Sequence, residues 1–156
     1  RIVRGKILAD TVLTTATDTR VMQFKITANG NRVNFTQLDG VLRNQNNVAA
    51  TINVYKNSVN STNLIGSGTI TGAAAANTQS YSIAVTSQEI TTDAIYIIEI
   101  VNYVPSQVGS NNLSRSFQID NIVYEDIFND DVVSVTDANA YVNAGSFPLN
   151  APSFTP

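Results

Sequence analysis

The chain is 156 residues long, contains no His, Cys or Trp, and carries a formal net charge of −3 with only 13% charged residues. Without His there is no imidazole base, no Ser-His-Asp triad and no imidazole metal ligand. Without Cys there is no disulfide, no thiolate nucleophile and no Cys-ligated zinc or iron–sulfur site. The length suits one domain, with or without a tail, and these absences exclude much of the chemistry that enzymes use.

Composition also predicts the fold class and the location of the protein. Val and Ile number 32 against 7 Leu, and Asn, Thr and Ser number 19, 17 and 13. β-Branched residues favour strands and small polar residues favour turns, so we expect an all-β domain. No run approaches the ~20 apolar residues of a membrane-spanning helix. The low charge, the polar composition and a first residue that is Arg rather than Met favour an exported protein, outside the cell or on its surface.

The N-terminal part begins with an apolar-studded segment, residues 1–14, which predicts a short strand or an extended arm. Residues 20–28 then alternate between apolar and polar, a period of two that predicts a half-buried strand. Asn29-Gly30 follows, and a second alternating run begins at Arg32. Because Asn-Gly suits a type I′ turn, this arrangement predicts a β-hairpin.

Five further runs predict strands along the middle of the chain. They are residues 50–56, 64–71, 79–85, 94–104 and 115–127. The glycines of the second run make it a weak strand, whereas the fourth is apolar on both faces and is typical of a central strand. In the last run the apolar positions change phase, which predicts a β-bulge near Asn121.

The C-terminal part holds one more alternating segment, residues 132–145, and then a tail with three Pro in its last 11 residues. Pro has no N–H to donate to a ladder, so we expect this tail to be extended and to lie outside the interior of any sheet.

Several stretches of the chain together show the pattern of strands and turns that is typical of a known class of proteins. They are MQFKITANGNRVNFTQL, INVYKN, LIGSGTI, YSIAVTSQEIT, IYIIEIVNY and RSFQIDNIVYEDI. This pattern resembles the Ig-like β-sandwich modules of bacterial surface proteins, such as S-layer-type proteins, adhesins and extracellular filaments. The resemblance implies an antiparallel Ig-like β-sandwich with a structural or adhesive role and no enzymatic activity. We expect an N-terminal arm or strand at 1–14, a sandwich at 15–131, and a C-terminal strand with a Pro-containing tail at 132–156.

Charge is distributed unevenly along the chain. Residues 1–43 sum to +4, residues 44–115 to −1, and residues 116–156 to −6 with no basic residue. Opposite charges at two ends of one small domain favour head-to-tail association, which produces filaments or lattices when the rotation does not close. The alternative is that the two ends fold against each other within one molecule.

Both terminal segments have the pattern of donated strands, which complete the sheet edge of a neighbouring subunit. The alternative is that each pairs within its own sheet. The candidate assembly residues are Ile2, Val3, Ile7, Leu8, Val133, Val135, Tyr141, Phe147 and Phe154.

An acidic loop after residue 125 offers oxygen ligands for Ca²⁺, although EDIFNDD lacks the spacing of an EF-hand. A solvated turn is the alternative, and no other cofactor is expected. The candidate ligands are Asp126, Asn129, Asp130 and Asp131.

Three Asn-X-Ser/Thr sequons begin at Asn34, Asn60 and Asn112. Asn60 and Asn112 fall in predicted loops and are the candidate acceptors of a glycan, whereas Asn34 falls in a predicted strand.

These features predict a self-assembling structural subunit of a filament, pilus-like fibre or S-layer-like lattice, whose partners are copies of itself. A monomeric module that binds carbohydrate or another surface is the alternative, and the lack of Trp disfavours it. Hydrolysis by a carboxylate pair that includes Glu99 lacks a paired-acid motif. The acidic balance also disfavours nucleic-acid binding.

Overall fold

The computed structural model describes residues 2–4, 19–28, 32–43, 50–70, 78–101, 116–127, 131–134 and 149–150. Apart from one 3-10 turn at Ser61–Asn63, the regular structure in these ranges is β-strand. The strands are β1 (Ile2–Arg4), β2 (Thr19–Thr27), β3 (Val33–Arg43), β4 (Ala50–Lys56), β5 (Leu64–Ile70), β6 (Thr78–Ile90), β7 (Asp93–Val101), β8 (Ser116–Asp126), β9 (Asp131–Ser134) and β10 (Leu149–Asn150). The predicted all-β class is confirmed.

Every ladder is antiparallel, and the strand order is β1-β2-β7-β4-β5-β6-β3-β8-β10, with β9 also paired to β8. β7 lies between β2 and β4, as its two-sided apolar pattern predicted. Because β3 pairs with β8 from one end to the other, β9 and β10 both lie along the opposite edge of β8.

The sheet folds back on itself, so that side chains of distant strands meet in one core. The ring of Phe35 on β3 lies 6.2 Å from that of Phe24 on β2 and 4.9 Å from that of Tyr96 on β7. All three residues are completely buried, and each aromatic pair adds about 0.5–1.5 kcal/mol beyond the burial of its area. These contacts join two halves of the sheet that β4, β5 and β6 separate in the strand order.

The predicted hairpin between β2 and β3 is wrong. β2 pairs with β1 and β7, and β3 pairs with β6 and β8, so the two strands are not hydrogen-bonded neighbours. Phe24 and Phe35 instead face each other across the core. The physical reason is that alternation decides which face of a strand is buried, whereas the choice of neighbouring strand depends on long-range packing.

The two halves of the sheet join between β5 and β6, where the only register pair described is Gly66 with Val85. A Cβ on Gly66 would lie 2.8 Å from Cγ1 of Val85, and one on Gly68 would lie 2.9 Å from Cγ1 of Ile83. The backbone of β5 therefore rests directly on side chains of β6. The glycines that made this strand weak on sequence grounds permit the close approach at the corner of the sheet.

The predicted bulge in β8 is confirmed. In the register with β3, Ile119 lies opposite Gly40 and Asn121 lies opposite Asp39, so Asp120 is the extra residue. The alternation of buried side chains along β8 changes phase at this point. The bulge divides the outer edge of β8 into two parts, one paired with β10 and one with β9.

Candidate functional site: the outer strands

The strands at the two ends of the strand order are short segments from the two ends of the chain. β1 contributes three residue pairs to β2, β9 contributes four to β8, and β10 contributes two to β8. Within the described ranges, each of these strands has a ladder partner on one side only. A strand with an unpaired edge is a template for pairing with another chain.

The two outer edges carry opposite charges. The charged residues of β1 and β2 are all basic: Arg4, Arg20 and Lys25. Those of β8 and β9 are all acidic: Asp120, Glu125, Asp126 and Asp131. The charge asymmetry along the sequence therefore becomes an asymmetry between the two ends of the strand order.

Part of the basic charge is paired locally. The ammonium group of Lys25 lies 3.1 Å from a carboxylate oxygen of Asp93, and Arg32 forms an ion pair with Glu89. A hydrogen bond from Thr27, followed by the one from Lys25, lowers the pKa of Asp93. All four charged side chains are substantially exposed, and exposed ion pairs contribute little to stability because solvent screens them.

A network of polar side chains on the outer face ties the acidic edge to the rest of the sheet. Asp39 on β3 accepts hydrogen bonds from Gln37 at 2.8 Å, from Ser82 on β6 at 2.7 Å and from Asn121 on β8 at 3.1 Å. Asn121 in turn accepts a hydrogen bond from Ser134 on β9. One carboxylate thus links three adjacent strands, and a fourth strand joins through Asn121.

A buried tyrosine lies beneath this network. The hydroxyl of Tyr81 on β6 donates to the carbonyl oxygen of Gln118 on β8 at 2.7 Å, and its ring stacks on Phe117 at 5.0 Å. Burial, followed by the nearby charges of Asp120 and Asp39, raises the pKa of the Tyr81 hydroxyl well above its usual value. The group therefore stays neutral and acts as a hydrogen-bond donor that holds β8 in place.

β9 places an apolar side chain in solvent at the acidic edge. Val132 is 74% exposed, although its register partner Glu125 is partly covered and accepts a hydrogen bond from Asn34 at 3.0 Å. The alternation of apolar and polar residues did not predict that this valine would be exposed on an outermost strand beside acidic residues. Its neighbour Val133 is one of the predicted assembly residues.

The structure brings two of the calcium candidates together. Asp126 is 7% exposed and lies opposite Asp131 at the end of the β8–β9 ladder, whereas Asn129 and Asp130 lie outside the described residues. No cluster of three or more acidic residues suited to a metal ion occurs in the described ranges. Calcium binding stays a prediction, and an unchanged Tm in EDTA and in excess Ca²⁺ would exclude it.

β10 is the part of this edge that the sequence did not predict. Leu149 pairs with Ile119, Asn150 pairs with Gln118, and the Leu149 side chain is 1% exposed within the main core. The Pro residues around it predict an extended tail outside the interior of any sheet, and they did not indicate a strand here. Pro is compatible with an edge strand, because the outward N–H of such a strand needs no ladder partner.

The predicted assembly residues fall partly on these edges. Ile2 and Val3 lie on β1 opposite Ile26 and Lys25, and Val133 lies on β9 opposite Tyr124. In this single chain both terminal segments pair within their own sheet. The remaining candidates lie outside the described residues: Ile7, Leu8, Val135, Tyr141, Phe147 and Phe154.

The sequons differ in accessibility. Asn60 is exposed at the start of the 3-10 turn, where its side chain accepts from the backbone N–H of Asn63 at 3.0 Å and donates to Ser58 at 2.8 Å. Asn34 is half-buried in β3. Asn112 lies outside the described residues.

Glu99 lies on the outer face of β7 and not in the core. It is half-buried, accepts a hydrogen bond from the hydroxyl of Tyr55 at 3.2 Å, and lies in register between Arg20 and Asn53. Asn53 donates to the same hydroxyl and accepts from Ser67 on β5. These contacts give Glu99 a place in a cross-strand polar chain, consistent with a carboxylate on the wet face of a central strand.

Comparison with known proteins finds no matching family model, no matching curated protein and no matching solved structure. No helix in the described ranges is long and apolar enough to cross a membrane.

Proposed function

We propose that this chain is a structural subunit of an extracellular or cell-surface polymer, built on an Ig-like β-sandwich. The polymer is a filament, a pilus-like fibre or an S-layer-like lattice, and its partners are copies of the same chain that join through their terminal strands. The observation that carries this proposal is the opposite charge of the two outermost pairs of strands, basic on β1 and β2 and acidic on β8 and β9.

The charge pattern supports contact between unlike edges. A basic edge attracts the acidic edge of another copy and repels its own kind, which favours a heterologous, head-to-tail contact over a symmetric dimer. Such a contact repeats without limit unless the rotation closes a ring. Short strands that have a ladder partner on one side only, among the strands that the structure describes, supply backbone groups for the same contact.

The exposed Val132 supports assembly through the acidic edge. Burying a valine side chain stabilises a contact by about 1.5 kcal/mol or more, and natural sheets protect free edges with charged residues such as Lys. Val132 does the opposite, since it presents apolar surface at an outermost strand.

The alternative, a monomeric carbohydrate-binding module, gains no specific support from the described residues. Sugar sites use exposed aromatic faces, whereas the aromatic side chains placed in the described ranges are buried or half-buried. Tyr81 and Tyr96 point into the core, as their positions in the strand pattern predicted.

A pair of lysine substitutions tests the proposal. Val132→Lys on β9 is expected to reduce the sedimentable, filament-containing fraction at least tenfold, because it places a charge at the contact edge. Leu64→Lys is the matched control, since Leu64 is 41% exposed on β5 in the middle of the strand order. Assembly of that variant should match the unmodified chain.

The unmodified chain is examined by sedimentation and negative-stain microscopy over a range of salt concentrations. Raising the ionic strength from about 0.1 M to about 1 M shortens the Debye length from about 10 Å to about 3 Å, so we expect the polymers to shorten or dissolve. A monodisperse monomer at every concentration and salt level would overturn the proposal. So would polymers that persist after deletion of residues 1–14 or 132–156.

A further inference from the structure

We infer that β10 is an exchangeable strand: in the assembled protein, Leu149 of one copy pairs with Ile119 of the next, and Asn150 pairs with Gln118. This inference rests on the proposed function and identifies which segment is donated and which site receives it. In the single chain the same segment occupies its own site.

The receiving site is a gap in the core at the outer edge of β8. Leu149 is 1% exposed and belongs to the main hydrophobic core, although the strand that carries it has only two residues. Within the described residues, the other core side chains lie on the longer strands β2–β8. One leucine from near the end of the chain therefore completes the core at a point that the other described strands leave open.

The contact of β10 with β8 stabilises the sheet, but it is small enough to break and to form again between two copies. Burial of a single leucine side chain stabilises the contact, and a ladder of two residue pairs adds little beyond that. The strand can therefore leave its site without unfolding of the long strands. The contacts are the same whichever copy supplies the strand. The balance between pairing within one chain and pairing between two chains therefore depends mainly on the protein concentration and on the length of the segment between β9 and β10.

The tether is long enough for exchange. Fourteen residues, 135–148, separate the end of β9 from the start of β10. Fully extended, a chain of that length reaches at most about 50 Å, whereas a domain of this size has a radius of gyration of about 15 Å. The site on an adjacent copy is therefore within reach of the donated strand.

Charge favours this segment as the donor. Residues 138–156 contain no charged side chain, so they can approach the acidic edge of another copy without repulsion. The site itself lies next to Asp120, at the bulge that separates it from the part of β8 paired with β9. β9 can therefore keep its own pairing while β10 moves to a neighbour.

Engineered disulfides test the exchange, and the chain suits them because it has no Cys of its own. Asn150 and Gln118 lie opposite each other in the register, so a double variant with Asn150→Cys and Gln118→Cys traps the strand wherever it is paired. Under oxidising conditions that allow assembly, we expect a ladder of covalent oligomers on a non-reducing gel. Mixing the two single-cysteine proteins should give a crosslinked pair whose linked peptides contain positions 118 and 150.

The matched control keeps the same acceptor cysteine. Val41 on β3 lies opposite Gln118 on the other side of β8, inside the sheet, so a Val41→Cys, Gln118→Cys double variant should crosslink only within one chain. It reports any non-specific crosslinking in the polymer.

The outcomes separate this inference from the proposed function. If polymers form but the 118–150 disulfide forms only within single chains, the inference is overturned while the proposed function stands on other contacts. If the disulfide joins two chains into closed dimers and no polymer forms, the exchange is upheld and the proposed function fails. If neither polymers nor intermolecular disulfides form, both are wrong.

Discussion

The hydroxyl of Tyr81 passes over Gly40 to reach the carbonyl oxygen of Gln118, two strands away from its own backbone. A Cβ on Gly40 would overlap both that hydroxyl and that carbonyl oxygen, and it would lie 2.7 Å from Cζ of Tyr81. Glycine is required here because an aromatic ring and a neighbouring backbone both press against the strand. The contact fixes β6, β3 and β8 beside the acidic edge.

Gly40→Ala is therefore expected to lower the free energy of unfolding by about 2–3 kcal/mol, the cost of overpacking a site that cannot relax. Ser80→Ala, an exposed change on the adjacent strand β6, serves as the control and should alter stability by less than about 0.5 kcal/mol. Urea unfolding followed by circular dichroism measures both. Equal stabilities for the two variants would contradict the packing described at Gly40.

Substitution by Phe is expected to have opposite effects on the free energy of unfolding at the two buried tyrosines, Tyr96 and Tyr81. The hydroxyl of Tyr96 is buried, and no hydrogen-bond partner for it is found in the part of the chain that the structure describes. Tyr96→Phe should raise the free energy of unfolding by about 1 kcal/mol or more, because an unsatisfied buried hydroxyl costs about 1–3 kcal/mol. Tyr81→Phe should lower it by about 1 kcal/mol, because it removes the hydrogen bond to Gln118. A loss of stability in Tyr96→Phe would show that its hydroxyl is satisfied in solution.

Stability should fall as the pH rises above 10. Burial raises the pKa of the Tyr96 hydroxyl, whereas the same group in the unfolded chain ionises near pH 10. Between these two values the folded state binds more protons than the unfolded state, so the free energy of unfolding decreases with pH. Below pH 10 both states are protonated and the contribution of this group is constant.

The Phe variant isolates that contribution. The stability advantage of Tyr96→Phe over the unmodified chain should be constant from pH 7 to pH 9, and above pH 10 it should grow by up to about 1.4 kcal/mol per pH unit. Urea unfolding at a series of pH values measures the difference. An advantage that stays constant to pH 11 would mean that the Tyr96 hydroxyl ionises as easily in the folded protein as in the unfolded one.

Local pattern predicted the strands well, because one buried face is visible in a single stretch of sequence. β4 has the predicted bounds of 50–56, β7 is central as predicted, and the phase change in β8 revealed the bulge at Asp120. Each of these features depends on residues close together in the chain, whose alternation reports burial directly.

The sequence pattern did not predict which distant strands pair with each other. Asn29-Gly30 predicted a hairpin from turn chemistry alone, but Phe24 and Phe35 make an edge-to-face contact across the core, and their strands lie in different halves of the sheet. The role of Leu149 was also hidden, because a single leucine between prolines has no periodicity. Its burial depends on long-range packing against β8 and the main core, which only the assembled sheet reveals.

When the chain is secreted from a host that modifies Asn-X-Ser/Thr sequons, we expect a glycan to be attached to Asn60 but not to Asn34. Asn60 is exposed beside a short turn, and within the described residues its side-chain amide bonds to Ser58 and to the backbone of Asn63, both close in the chain, so the local chain can open to present it. Asn34 is held in the middle of three paired strands with its amide on Glu125. Peptide mass spectrometry should find glycan on Asn60 and none on Asn34, and Asn60→Gln should remove the Asn60 glycopeptide while Asn34→Gln leaves it unchanged. Modification of Asn34 in the folded, secreted protein would contradict the pairing of β3 with β6 and β8, because the amide nitrogen cannot carry a glycan and keep its place against Glu125.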